Sequence, residues 1–144
     1  MQEVLRANPG DDLRAYFIWL PMFSGDGVDR AQVRADEFSE ERLVHLWDGD
    51  RLTGELWQGV LGIGSVAWDV YFLYAPDARW VTDPPAPDLW MHQLGGVTNG
   101  PFLNRPEFDR QLKNMLEGMS VSRQPGAMID IAVVETKPAP VGAE

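Results

Sequence analysis

The chain contains no cysteine. That absence removes disulfides, thiolate metal sites, cysteine nucleophiles and dithiol redox chemistry together. Histidine is nearly as scarce, with only His45 and His92, and these two lack a close ligand spacing of the His-x-x-x-His kind. Lys and Arg number 12 against 22 Asp and Glu, a formal net charge of −10. Phosphate contacts need clustered basic side chains, so nucleic acid and anionic membrane surfaces are poor partners. No apolar run approaches the roughly 20 residues of a membrane helix, and the first residues lack a basic start followed by an apolar core. The default expectation is a soluble, cytoplasmic protein. No Gly-x-Gly-x-x-Gly, P-loop, Gly-x-Ser-x-Gly or His-Glu-x-x-His pattern occurs, which disfavours the common nucleotide, hydrolase and metalloprotease readings.

What is present suits one folded domain. The 144 residues are 44% hydrophobic and include six Trp and six Phe, enough large apolar side chains for a single core. The reading places that domain over residues 1–135, with a flexible Pro, Gly and Ala tail at 136–144. The best-specified stretch runs from Trp68 to Trp80. Val70–Tyr74 is a β-branched and aromatic run, and Ala75-Pro76-Asp77-Ala78 has turn chemistry, so a hairpin is expected over 69–82. Asp83–Pro87 must then run extended and deliver Leu89, Trp90, His92 and Leu94 onto a surface.

Around the hairpin the pattern alternates strands and helices. Met1–Ala7 reads as the last turns of a helix, as though the chain opened inside a longer unit. Leu13–Leu20 is apolar on both faces from Ala15 onwards, which marks a central strand. Val28, Ala31, Ala35 and Phe38 recur at helical spacing. Arg42–Trp47 is a short strand. Asp48-Gly49-Asp50 offers a turn and an N-cap for a helix over Arg51–Leu61, striped by Leu52, Leu56, Val60 and Leu61. Pro106 opens a helix with Phe108, Leu112, Met115, Leu116 and Met119 on one face.

The segments AYFIWLPM, VHLWD and AWDVYFLY, with the later Trp80, the Pro pair and WMHQL, resemble a group of bacterial thioredoxin-like proteins, mostly uncharacterised. The resemblance spans Met1 to Met119. It implies an α/β fold, a thioredoxin-like three-layer sandwich in partial or rearranged form. In that family a strand–helix–strand portion carrying Cys-x-x-Cys precedes the equivalent of Met1, and a cis-proline precedes the hairpin near Val66-Ala67-Trp68. Here the cysteine-bearing portion is missing and no proline stands at that position. The resemblance therefore implies a redox-inactive domain that acts by binding, as an accessory subunit for a protein partner or as a homo-oligomer.

The alternative is a small-molecule or metal-assisted enzyme. Asp69, at the head of a buried strand, is the carboxylate most exposed to desolvation and a candidate acid or base beside His92. His45 and His92 with Asp48 or Asp69, each Asp following a Trp, make a His-His-Asp metal set that can be drawn, although each histidine is more simply read as satisfying a local hydrogen bond. The tryptophans offer an aromatic ligand surface, with Trp80, Trp90 and the adjacent His92 as its best candidates. No cofactor is implied.

One structural requirement follows from the resemblance. The strand that would lie between Leu13–Leu20 and Val70–Tyr74 is missing, and unpaired buried backbone groups cost about 1–3 kcal/mol each. Met128–Val134, after the turn-like Gln124-Pro125-Gly126, is the unused candidate. It is expected to pair into the sheet, from its own chain or from a second copy.

Overall fold

In the computed structural model, which describes residues 1–122 and 126–135, the chain forms a five-stranded mixed sheet flanked by helices. The expected tail, 136–144, lies outside the described residues. In chain order the elements are α1 (Gln2–Ala7), β1 (Leu13–Trp19), α2 (Val28–Glu37), β2 (Leu43–Trp47) and α3 (Leu52–Leu61). They continue with β3 (Val70–Tyr74), β4 (Leu89–His92), α4 (Arg105–Ser122) and β5 (Ile129–Glu135). The sheet order is β2-β1-β5-β3-β4. β1 runs parallel to β2 and β5, and β3 runs antiparallel to β5 and β4.

β5 lies between β1 and β3 within its own chain. Its residues register with all of β1, from Leu13↔Ile129 to Trp19↔Glu135, and with β3 from Tyr74↔Asp130 to Val70↔Val134. Both central strands therefore have hydrogen-bonding neighbours on each side, as buried backbone groups demand.

The two faces of the sheet are covered unequally. Leu13, Ala15 and Phe17, with Ile129, Ile131, Val133, Tyr71 and Leu73, face the helices that carry Leu5, Ala31, Phe108 and Leu112. Those side chains come from α1, α2 and α4. The opposite face, built from Ile18, Ala132, Val134, Phe72 and Tyr74, packs on Trp57 and Leu61 of α3. A ten-residue helix is about 15 Å long, whereas five strands span roughly 19 Å across. α3 cannot roof that face alone.

Three local expectations need correction. The partner of β3 is not the chain up to residue 82 but β4, after a long irregular connection at 75–88. The turn itself forms, with Ala78 N–H bonded to the Ala75 carbonyl at 3.0 Å. The prolines at 84, 85 and 87 then hold the chain extended without ladder donors, so pairing waits until Leu89. In α3 the inward residues are Gly54, Trp57 and Leu61, while Leu52 is 59% exposed and Leu56 is exposed too. Gly54 seats the helix against Leu20, Val66 and Ala67 and so sets its rotation. In α2, Ala31 is buried, as is Phe38 just past its end, but Val28 is exposed.

Candidate ligand pocket

A cleft of about 350 Å³ opens on the face roofed by α3. Its floor is Tyr16 and Ile18 of β1, Asp130 and Ala132 of β5, and Tyr74 of β3. The wall on one side is Trp57, and Ala78, Trp80 and Pro85 come from the long β3–β4 connection. Leu46 of β2 closes the outer side. The volume lies within the range of small-molecule sites.

The aromatic walls are fixed by their own bonds. Trp57 Nε1 donates to the Tyr74 hydroxyl at 3.0 Å, and that hydroxyl donates to the Pro85 carbonyl at 3.4 Å. Trp57 packs on Phe72 with ring centres 5.1 Å apart, and Trp80 meets Trp57 edge-on at 5.4 Å. Trp57 is buried, whereas Trp80 is 49% exposed and forms the lip. The Ala132 methyl leaves room between these rings and the sheet.

Asp130 is the charged group on the floor and is half-buried. Burial pushes its carboxyl above the ordinary range, and the nearby charges of Arg14 and Arg79 only partly offset this. Arg14 is its register neighbour on β1 but is solvent-exposed and bonded to Tyr16. Arg79 donates to the carbonyls of Pro76 and Ala78 in its own loop. Among the described residues, no donor bonds the Asp130 carboxyl.

Comparison with protein-family models, curated proteins and solved structures returns no match. Function must therefore be argued from the site alone.

The structure separates the residues singled out from the sequence. Trp80 lines the cleft. Trp90 lies on the same sheet face but on β4, its ring so close to Gly100 that a Cβ there would collide with it. His92 is buried: its Nδ1 accepts the Leu94 N–H at 3.1 Å and its Nε2 donates to the Gly100 carbonyl at 3.1 Å. His45 is on the opposite edge and the opposite face, stacked on Phe17. Its Nδ1 accepts from Trp19 Nε1 at 3.3 Å and its Nε2 donates to the Phe38 carbonyl at 2.8 Å. With every ring nitrogen engaged and four strand spacings between them, the histidines do not form a common metal site. No group of three or more metal-ligating side chains occurs among the described residues.

Asp48 caps α3, accepting from the Leu52 and Thr53 N–H groups at 3.1 and 2.7 Å and from the Thr53 hydroxyl at 2.5 Å. Asp69 has φ of 49°, and its carbonyl accepts the Gln93 N–H at 2.9 Å. Its charge acts on a second polar cluster that the sequence reading did not single out. There Glu135, at the end of β5, adjoins Tyr71, whose hydroxyl lies 2.8 Å from Gln93 Oε1. Burial first, then the Asp69 charge, lift Glu135 to about 7, against the opposing effects of the Tyr71 bond, the Met1 amino group and Arg105. Burial likewise pushes the Tyr71 hydroxyl up. A protonated Glu135 can donate to Tyr71, which then donates to Gln93. The cluster can hold or release a proton near neutral pH.

The legible signal for Asp130 and Glu135 was their setting. A strand covered on both faces reads as a continuous apolar run, yet β5 carries an acid near each end. Such violations of local consistency concentrate where function requires them.

Proposed function

We propose that the chain is a redox-inactive thioredoxin-like domain that acts by binding, and that the cleft over β1, β5 and β3 is where it binds. The fold part of this reading is supported by the sheet order. The resembled fold has a strand between the equivalents of β1 and β3, and here β5 takes that position, arriving from the end of the domain. With no cysteine in the chain, the redox half of the family's chemistry has no carrier.

The observation that carries the binding reading is the cleft itself. Four aromatic side chains surround a half-buried carboxylate on a central strand, and burying that carboxylate costs stability. The competing cleft at the carboxyl ends of β1 and β2 offers Arg30 and Arg34 but sets Asp26 and Glu37 beside them, and Arg34 is already paired with Glu37 at 2.5 Å. Titrating a library of small molecules into isotope-labelled protein tests the proposal. Shifts concentrated on the Trp80 indole and the amides of Ala78 and Asp130 are expected. Binding confined to the Arg30 and Arg34 cleft would defeat it.

A second reading, self-association, is favoured by one observation. β2 is an edge strand, and its Val44, Leu46 and Trp47 are exposed, the combination that invites strand addition. Sizing of wild type against Val44→Lys tests it. A monomer at all concentrations in both proteins would eliminate it.

A further inference from the structure

We infer that the ligand class of the aromatic cleft is a small organic ammonium ion, held against the Trp80 ring and the Tyr16 side chain that line it, with its charge balanced by Asp130. The inference rests on the binding reading above and deepens it.

Three features of the cleft select for a cation. Aromatic faces carry negative potential, and a cation within about 6 Å of a ring centre gains from it, most of all at tryptophan. Trp80 presents an exposed ring at the lip, while Trp57, fixed edge-on against it, keeps that ring upright. The floor then supplies a carboxylate that no donor bonds among the described residues. Arg14 and Arg79 are charged neighbours, but one is in water beside Tyr16 and the other is bonded to loop carbonyls. Neither neutralises Asp130, which is why burial prevails in its electrostatics. An anionic ligand would meet this carboxylate directly. A neutral one would leave it as unpaired as before. An organic ammonium ion removes the mismatch and places its methyl or methylene groups on Ile18, Leu46 and Ala132.

A strongly hydrated metal cation is disfavoured by the same walls. Among the described residues Asp130 is the one carboxylate that lines the cleft, and aromatic faces cannot replace the oxygen ligands that calcium or magnesium needs. The net charge of −10 raises the local concentration of any small cation and so assists its capture.

The test compares two probes of nearly the same shape. Choline carries a trimethylammonium head, and 3,3-dimethyl-1-butanol carries a neutral tert-butyl group in its place. Binding is followed by tryptophan fluorescence and by the Trp80 indole resonance. Choline is expected to bind at least about tenfold more tightly than the alcohol, and Asp130→Asn and Trp80→Ala are each expected to weaken choline by about tenfold. Trp80→Phe should retain more affinity than Trp80→Ala because a ring face remains. Asp130→Asn removes a desolvated charge, and far-UV circular dichroism confirms that each variant is folded. Equal affinity for choline and the alcohol would overturn the cation class while leaving a binding cleft. Shifts from other library members with none from choline would do the same. If neither choline, the alcohol nor the library perturbs Trp80, both the ligand class and the binding reading fail.

Discussion

Two glycines of α3 look alike in sequence and should respond oppositely to the same change. Alanine is the better helix former by about 1 kcal/mol at either position. At Gly59 a Cβ meets nothing within 4 Å, so Gly59→Ala should stabilise the protein by about 0.5–1 kcal/mol. At Gly54 it would lie 2.6 Å from Val66 Cγ1 and 3.0 Å from the Ala67 carbonyl oxygen. Gly54→Ala should therefore destabilise by about 1–3 kcal/mol. Urea unfolding midpoints decide the matter, and shifts of the same sign would show that propensity outweighs contact. The difference was not legible in the sequence, because the tight approach is made by segments beyond the helix. His92 carries a related lesson. Both its nitrogens serve the backbone, so His92→Ala leaves the Leu94 N–H and Gly100 carbonyl without their partner. A loss of about 1–3 kcal/mol is expected. Added zinc should leave the wild-type melting temperature unchanged, and a specific rise would contradict the structural role assigned to this histidine.

Elements were legible where one periodicity ran undisturbed. β1, β3 and α4 announce themselves because each buries an uninterrupted run or stripe, such as Phe108 and Leu112 with the partly buried Met115, Leu116 and Met119. The hairpin failed because turn chemistry at 75–78 marks a bend without stating which later strand returns. α3 was rotated in the reading because leucine positions were weighed and the small residue was not. β5 was legible by need: two central strands cannot leave their facing backbone groups unpaired. The same logic makes it the element least able to be lost. A chain ending at residue 127 should show no cooperative unfolding and should aggregate. Ala132→Pro should act similarly, since a proline in the middle of a central strand removes a ladder donor and is tolerated essentially only at sheet edges and bulges. Asp130→Asn, two residues away on the same strand face, is the control that should stay folded. A cooperatively melting Ala132→Pro protein would show that β5 is dispensable to the sheet.

Charge acts on the molecule as a whole, and it couples stability to pH in a direction opposite to that of ordinary ion-paired carboxylates. Glu135 rises from an ordinary 4.5 to about 7 in the folded protein. Between those values the folded state holds a proton that the unfolded chain releases, so stability falls as pH increases through this window and levels off above it. The full effect is no more than about 3 kcal/mol. Asp130, also raised, has the same sign at lower pH. Asp109 is opposite: despite its desolvation, bonds from Lys113 and Asn8 hold it below its ordinary 3.8. Its contribution is complete above that value and is lost only as pH falls below it. Self-repulsion from the net charge of −10 adds to the Glu135 slope, because the charge diminishes toward the isoelectric point near 4.5. The melting temperature should therefore be higher at pH 5 than at pH 8, while solubility declines over the same interval. Salt separates the two causes. About 0.5 M sodium chloride screens surface repulsion but not a desolvated carboxyl. At that salt concentration Glu135→Gln should flatten the remaining slope and raise stability at pH 8 by about 1–3 kcal/mol. If the variant keeps the wild-type slope in high salt, the proton is not held at Glu135. Glu135 would then have to be ionised throughout the neutral range, with Tyr71 and Gln93 neutral beside it.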